Sequence, residues 1–326
     1  MTLLGVSASA GASTVKAPQP GTGCFSASYP APQWHAVKCV TALARPLAPA
    51  THGGPATGHG GSTVGNGLDY SADEASGLIS KATGTFKDVS SNISEKGQIG
   101  GTGAKITNAL SLQLNSEFFT GSPACSGSSD PADCEAWQQF VYAYDGCTNG
   151  TANVSCIFMQ YWLINYDATC PSGWNTYSED CYTNSSAAEV STVTAKDLGS
   201  VSFYGSAVKG GNDGVSLSVG SGKATLVTGS DSKIDLARAW YITEWGVFGD
   251  AGGGEAYFGA SNTLEAQTVL KATSSAAPKC LKEGFTGETN NLKLAATPAL
   301  GSVSSPTMAS KQTDGTTGTA SCAVKA

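Results

Sequence analysis

Two segments near the middle of the chain place one amide and one acid among large apolar side chains. Gln160 lies in CIFMQYWLINY (156 to 166), and Glu244 lies in LARAWYITEWGVF (236 to 248). If both segments are strands, alternate side chains share a face, so Gln160 sits beside Phe158, Trp162 and Ile164, and Glu244 beside Trp240, Ile242 and Phe248. A carboxylate among aromatic and aliphatic groups is destabilising unless a partner compensates. Such a residue therefore reads either as chemistry or as a satisfied buried hydrogen bond. An acid that takes a proton from water and an amide that donates N–H to a carbonyl oxygen are sufficient for acyl hydrolysis.

Other chemistries lack their residues. The three histidines, His35, His52 and His59, all precede the apolar middle of the chain, so a Ser-His or Cys-His nucleophile there has no local base, and neither GxSxG nor HExxH occurs. No CxxC, Walker loop or dinucleotide GxGxxG is found, and no metal or cofactor is expected. The oxygen-rich loops GNDG (211 to 214) and GDAGGGEA (249 to 256) read as turns before they read as calcium ligands. Glycosidase chemistry would need two acids flanking one bond, and Glu244, Glu255, Glu265, Asp145 and Asp180 supply candidates without a recognisable spacing.

The elements that must position Gln160 and Glu244 are strands. Segments such as KITNALSLQLNSEFF, WQQFVYAYD, LGSVSFYGSAV, GVSLSVGSG, KATLVTG and GEAYFGAS alternate β-branched or aromatic residues with polar ones, and Gly, Asn, Asp and Ser clusters separate them. This pattern predicts an all-β protein, an antiparallel β-sandwich or jelly roll of the concanavalin-like kind. One short helix is predicted over DEASGLISKATG (73 to 84). Residues 1–65, rich in Pro, Gly and Ala, read as a pro-segment or export remnant in which Cys24 and Cys39 staple a loop carrying Tyr29 and Trp34. Residues 66–326 read as the sandwich domain, with NNLKLAATPALGSV among its closing strands.

Composition agrees. Charged residues make up 13% of the 326, and the net charge of -7 argues against nucleic acid or an anionic membrane as partner. Ten cysteines, even in number and locally spaced, predict a disulfide-stapled, secreted protein, and a monomer is expected. Asn92, Asn149, Asn153 and Asn184 begin Asn-x-Ser/Thr sequons.

The two opening segments resemble the glutamic peptidases, the eqolisin family of acid endopeptidases. Ala239-Trp240-Tyr241-Ile242-Thr243-Glu244 is similar to the family's A-E-[WF]-I-[VI]-E, with Glu244 on the catalytic position and Trp240 in place of the first Glu. Phe158-Met159-Gln160-Tyr161-Trp162 resembles I-L-Q-T-G, and VYAYDG, with Asp145 and Gly146, resembles W-V-G-I-D-G. The resemblance implies a jelly-roll peptidase acting on polypeptides at acidic pH, with Glu244 as general base and Gln160 as oxyanion donor. It further implies that the two lie on adjacent strands in a solvent-reachable groove, lined by Tyr142, Asp145, Trp162, Trp174 and Trp240. The alternatives are a carbohydrate-binding, lectin-like sandwich and a structural sandwich without catalysis.

Overall fold

The computed structural model describes residues 21–28, 31–50, 69–74, 77–274, 278–281, 284–294, 299–302 and 305–313. Tyr29, His52 and His59 lie outside them. The protein is an antiparallel β-sandwich, as the alternation predicts. Two large sheets of ten and eleven strands carry the fold, and a four-stranded sheet flanks them.

The eleven-stranded sheet holds both opening segments, as strands Asn153–Ile164 and Ile242–Gly249. Between them run Glu135–Thr148 and Leu110–Ser116, paired to each other and to the outer two. Alternation sorts each strand. Leu110, Leu112 and Leu114 join Phe140, Tyr142, Met159, Tyr161, Trp245 and Val247 in the core between the sheets. The odd positions Ser111, Gln113 and Asn115 therefore belong to the opposite, outer face.

Large rings in one sheet fit glycines in the other. Trp245 stacks on Phe203 and lies 4.9 Å from Phe86 between ring centroids, directly over Gly84, where a Cβ would stand 2.2 Å from the indole. Gly205 makes the same room for Phe140. This corrects the predicted helix. Ile79–Lys87 is a strand, with Ile79, Ala82, Gly84 and Phe86 buried. The small residues that weaken its apolar pattern are there because aromatic rings from the other sheet occupy the space.

The N-terminal residues enter both sheets. Gly23–Ser28 pairs with Lys223–Ser230 in one sheet, and Val40–Ala42 pairs with Glu135–Thr148 and Ser186–Glu189 in the other. Disulfides link Cys24 to Cys39, Cys125 to Cys134, Cys147 to Cys156 and Cys170 to Cys181. Cys280 is disulfide-bonded too, and Cys322 lies outside the described residues. Ser305–Thr313 pairs with Thr263–Ala272 at the far side of the ten-stranded sheet. Among the described residues no helix is long and apolar enough to cross a membrane.

Candidate functional site

On the outer face of the eleven-stranded sheet, strand register sets polar side chains in one row. Asn184 lies opposite Gln160, Gln160 opposite Gln139, Gln139 opposite Asn115, and Asn115 opposite Glu244, with Ser71 beyond it. Gln160 and Glu244 thus share a face and a row. They are not on adjacent strands, which corrects the expectation above: two strands intervene, and three spacings of about 4.8 Å put them roughly 14 Å apart along the sheet.

Hydrogen bonds run along the row. Asn115 Nδ2 donates to Glu244 Oε2 at 2.7 Å and to Gln113 Oε1 at 3.3 Å, and Gln139 Nε2 donates to the same Gln113 oxygen at 3.0 Å. Trp162 Nε1 bridges the far end, 3.0 Å from both Gln139 Oε1 and Gln160 Oε1. The amide beside Glu244 is therefore Asn115. An apolar cluster flanks each side of the row, one built on Val141 and Phe158, the other on Trp137, Trp162, Tyr182, Phe118 and Phe285.

Two segments of the chain cover this face. The first runs from Leu43 to Ala50. Asn184 donates to Leu43 O, the Tyr182 hydroxyl to Ala44 O and Gln160 Nε2 to Arg45 O at 3.0 Å, while Leu47 N donates to Gln160 Oε1 at 2.8 Å. The second runs from Gly284 to Asn290, and its Phe285 N donates to Glu244 Oε2 at 3.0 Å. The two straps bond each other, Ala50 N to Phe285 O and Gly287 N to Ala48 O, and the GDAGGGEA loop holds both through Gly252 N to Pro46 O and Gly253 N to Glu288 Oε1. Beneath them Gln160 and Glu244 have no exposed surface, so the site is closed and not an open groove.

Burial shapes the acids here. Glu288 accepts from Ala48 N, Gly253 N, Gln113 and Thr286, yet burial still pushes its carboxyl up to about 7. Burial also raises Asp69 well above the usual carboxylate range, and the neighbouring Glu244 reinforces that shift. Among the described residues no group of three or more His, Cys, Asp or Glu is arranged to hold a metal ion.

The expected lining residues separate. Trp162 lies in the row and stacks on Tyr182 at 5.0 Å. Asp145 sits in the irregular stretch of the Glu135–Thr148 strand, between the pairs Ala143–Cys156 and Cys147–Val154 near the start of the Gln160 strand. It pairs with Arg45 at 3.7 Å and accepts from Asn153, and its backbone oxygen accepts from Arg45 Nη1, so it fixes the residue whose carbonyl Gln160 holds. Tyr142 points the other way, into the core between the sheets, where its hydroxyl accepts from Val193 N. Trp240 precedes the Glu244 strand and packs on Phe140 in the same core. Trp174 is half-buried in a loop near Lys233, away from the row. The sequon residue Asn184 is committed to Gln160 and Leu43.

Asn115, Gln113, Gln139, Glu288 and Asp69 are site residues that the sequence reading missed. The signal for the first two was Ser111-x-Gln113-x-Asn115, polar at every second position opposite three leucines. Asp69 and Glu288 carried no local signal, because chain segments remote from the row bring them in.

No family model and no curated protein matches the chain. Among solved structures it is similar to a crystal structure of scytalido-glutamic peptidase with a peptide-based transition state analog, at 10% identity and a TM-score of 0.29, over 74% of this chain and 97% of that one.

Proposed function

We propose that the protein is a secreted acid endopeptidase of the glutamic type, closed over by its own straps. One observation carries this reading. The Gln160 amide grips polypeptide backbone on both sides, donating to Arg45 O and accepting from Leu47 N. These are contacts that any peptide could make, since they read main chain and not side chains. A substrate that displaces the straps takes over these bonds and those of the neighbouring amides.

Glu244 is the base. With Phe285 N–H gone, its Oε2 holds a water in the vacated place while Asn115 orients the carboxylate. The water oxygen attacks the carbonyl carbon, its proton passes to Glu244, and that proton then goes to the leaving nitrogen as the C–N bond breaks, giving an acid and an amine. A side-chain N–H on the carbonyl oxygen, of the kind Gln160 now gives Arg45 O, is worth about 3 kcal/mol to such a transition state. Because two strands stand between Gln160 and Glu244, we assign Gln160 to backbone capture and the adjacent Asn115 to Glu244. The disulfides accord with an oxidising, extracellular setting.

A structural sandwich is the second reading, and the full burial of Gln160 and Glu244 favours it. No glycan platform is seen: among the described residues Tyr177 is the one exposed large aromatic, and Trp137, Trp162 and Tyr182 are buried. The test is hydrolysis of a denatured protein between about pH 2 and pH 7, wild type against Glu244→Gln, with a pepstatin-type inhibitor present. Inhibitor-resistant cleavage that is lost in the variant supports the peptidase. Absence of cleavage at every pH, before and after limited proteolysis of the Leu43–Ala50 strap, establishes the structural reading.

A further inference from the structure

Glu244 has a second neighbour that the proposed reaction does not use. Asp69 Oδ1 and Glu244 Oε1 crowd one point above Gly284, where a Cβ would lie 2.6 Å from the first and 2.5 Å from the second. Both residues are fully buried. Among the described residues, neither Asp69 oxygen nor Glu244 Oε1 accepts a hydrogen bond from another residue's N–H or O–H. The other Glu244 oxygen, by contrast, is taken by Asn115 and Phe285 N.

Two facing carboxylates without donors or counter-ions would be strongly repulsive in a site that excludes water. Among the described residues the groups around them offer no relief. The sheet presents Asn115 and Ser71, neither of which titrates, and the strap presents Gly284 and Phe285. Glu288, the next acid along the row, is engaged by Gln113 and Thr286. Among the described residues no Lys, Arg or His forms an ion pair with either carboxyl. With no other donor among the described residues, a proton held between the two carboxyls satisfies this geometry.

We infer that Asp69 and Glu244 share one proton, with Asp69 as the carboxylic acid that donates to Glu244 Oε1. This inference rests on Glu244 being the base, and it makes Asp69 its positioning residue. The hydrogen bond fixes the carboxylate so that Oε2 faces the row, and Asp69 carries the proton that prevents mutual repulsion. Burial of Asp69 and the charge of Glu244 both favour the protonated acid. Gly284 is the residue this pair requires above it, since any side chain would push into both oxygens.

Above the pH at which the pair loses its shared proton, the two carboxylates repel, so stability falls as pH rises through that ionisation. Asp69→Asn keeps a donor towards Glu244 but cannot ionise, whereas Asp69→Leu removes the donor. The test is thermal melting of the full chain from about pH 4 to pH 8 for wild type and both variants. It is paired with infrared difference spectra in the carboxylic-acid C=O region at about pH 6.

Asp69→Asn is expected to melt near wild type at about pH 5 and to lose less on going to about pH 8. Asp69→Leu is expected to be weakened throughout, and one carboxylic-acid band should vanish in the Asn variant. In the hydrolysis assay the alkaline limb of wild type, falling about tenfold per pH unit, should flatten in Asp69→Asn. Equal losses for Asn and Leu at every pH, with no band lost, would overturn the inference. Melting and infrared read the pair whether or not the protein hydrolyses anything, so failure of the peptidase reading is seen separately, in the wild-type assay.

Discussion

At the scale of single residues, the site is a line of amides with acids at one end. Glu244→Gln keeps an oxygen for Asn115 and Phe285 N, so the fold should persist while acid-range hydrolysis falls by at least about 100-fold, measured as kcat/KM on an unfolded protein substrate. Gln160→Ala acts differently. It strips the acceptor from Leu47 N and the donor from Arg45 O inside a dry site, and should cost about 2–3 kcal/mol in urea unfolding. Full stability in that variant would mean that the strap is not held by Gln160. The sequence made Gln160 and Glu244 visible because each is a polar residue in an apolar strand; it concealed Asp69, whose neighbours along the chain look like an ordinary turn.

At the scale of elements, the straps and the glycines beneath the aromatic rings decide the outcome. Arg45→Ala removes the ion pair and hydrogen bond to Asp145. It should raise amide hydrogen exchange at Leu47 and Ala48 by roughly tenfold while leaving the Leu110–Ser116 strand unchanged, because the strap is held by single bonds to separate elements and the strand by paired ladders on both sides. Gly84→Ala, at the floor under Trp245, should destabilise by about 1–3 kcal/mol, since its Cβ meets buried ring atoms that have no free space to move into. The same glycine explains the misread helix. Alternation in SKATGTFK is faint in the sequence because the residues facing the core are small, and they are small because the other sheet supplies the rings.

At the scale of the whole molecule, buried acids give one concerted pH response. Burial is the leading cause that raises Glu95 and Glu117 to about 8, Glu135 and Glu288 to about 7, and Asp180 and Asp250 to about 6. Each of these folded-state values lies above the unfolded one, so the native state holds more protons between about pH 4 and pH 8, and stability falls as pH rises across that window. The melting temperature should therefore be highest near about pH 4 and drop by at least about 10 °C by pH 8, as read by scanning calorimetry. A melting temperature that rises towards neutrality would contradict this assignment of buried, protonated acids.

The sequence by itself determined the all-β class, because period-two alternation forces strands whose apolar faces must meet, and it determined the dependence on disulfides through ten locally spaced cysteines. It also marked Gln160 and Glu244, since an isolated polar group in an apolar run is visible without a fold. Only the tertiary structure decided what stands beside them. Strand order is set by long-range pairing, which placed Gln139 and Asn115 between the two residues and turned Tyr142 and Trp240 to the opposite face. Two straps remote in sequence, one 115 residues from Gln160 at Arg45 and one 41 from Glu244 at Phe285, then closed the row; the second brought Glu288, and pairing of Ser71–Asp73 with the Glu244 strand brought Asp69. Local spacing holds no record of such contacts, because they arise from how sheets twist, pair and are covered.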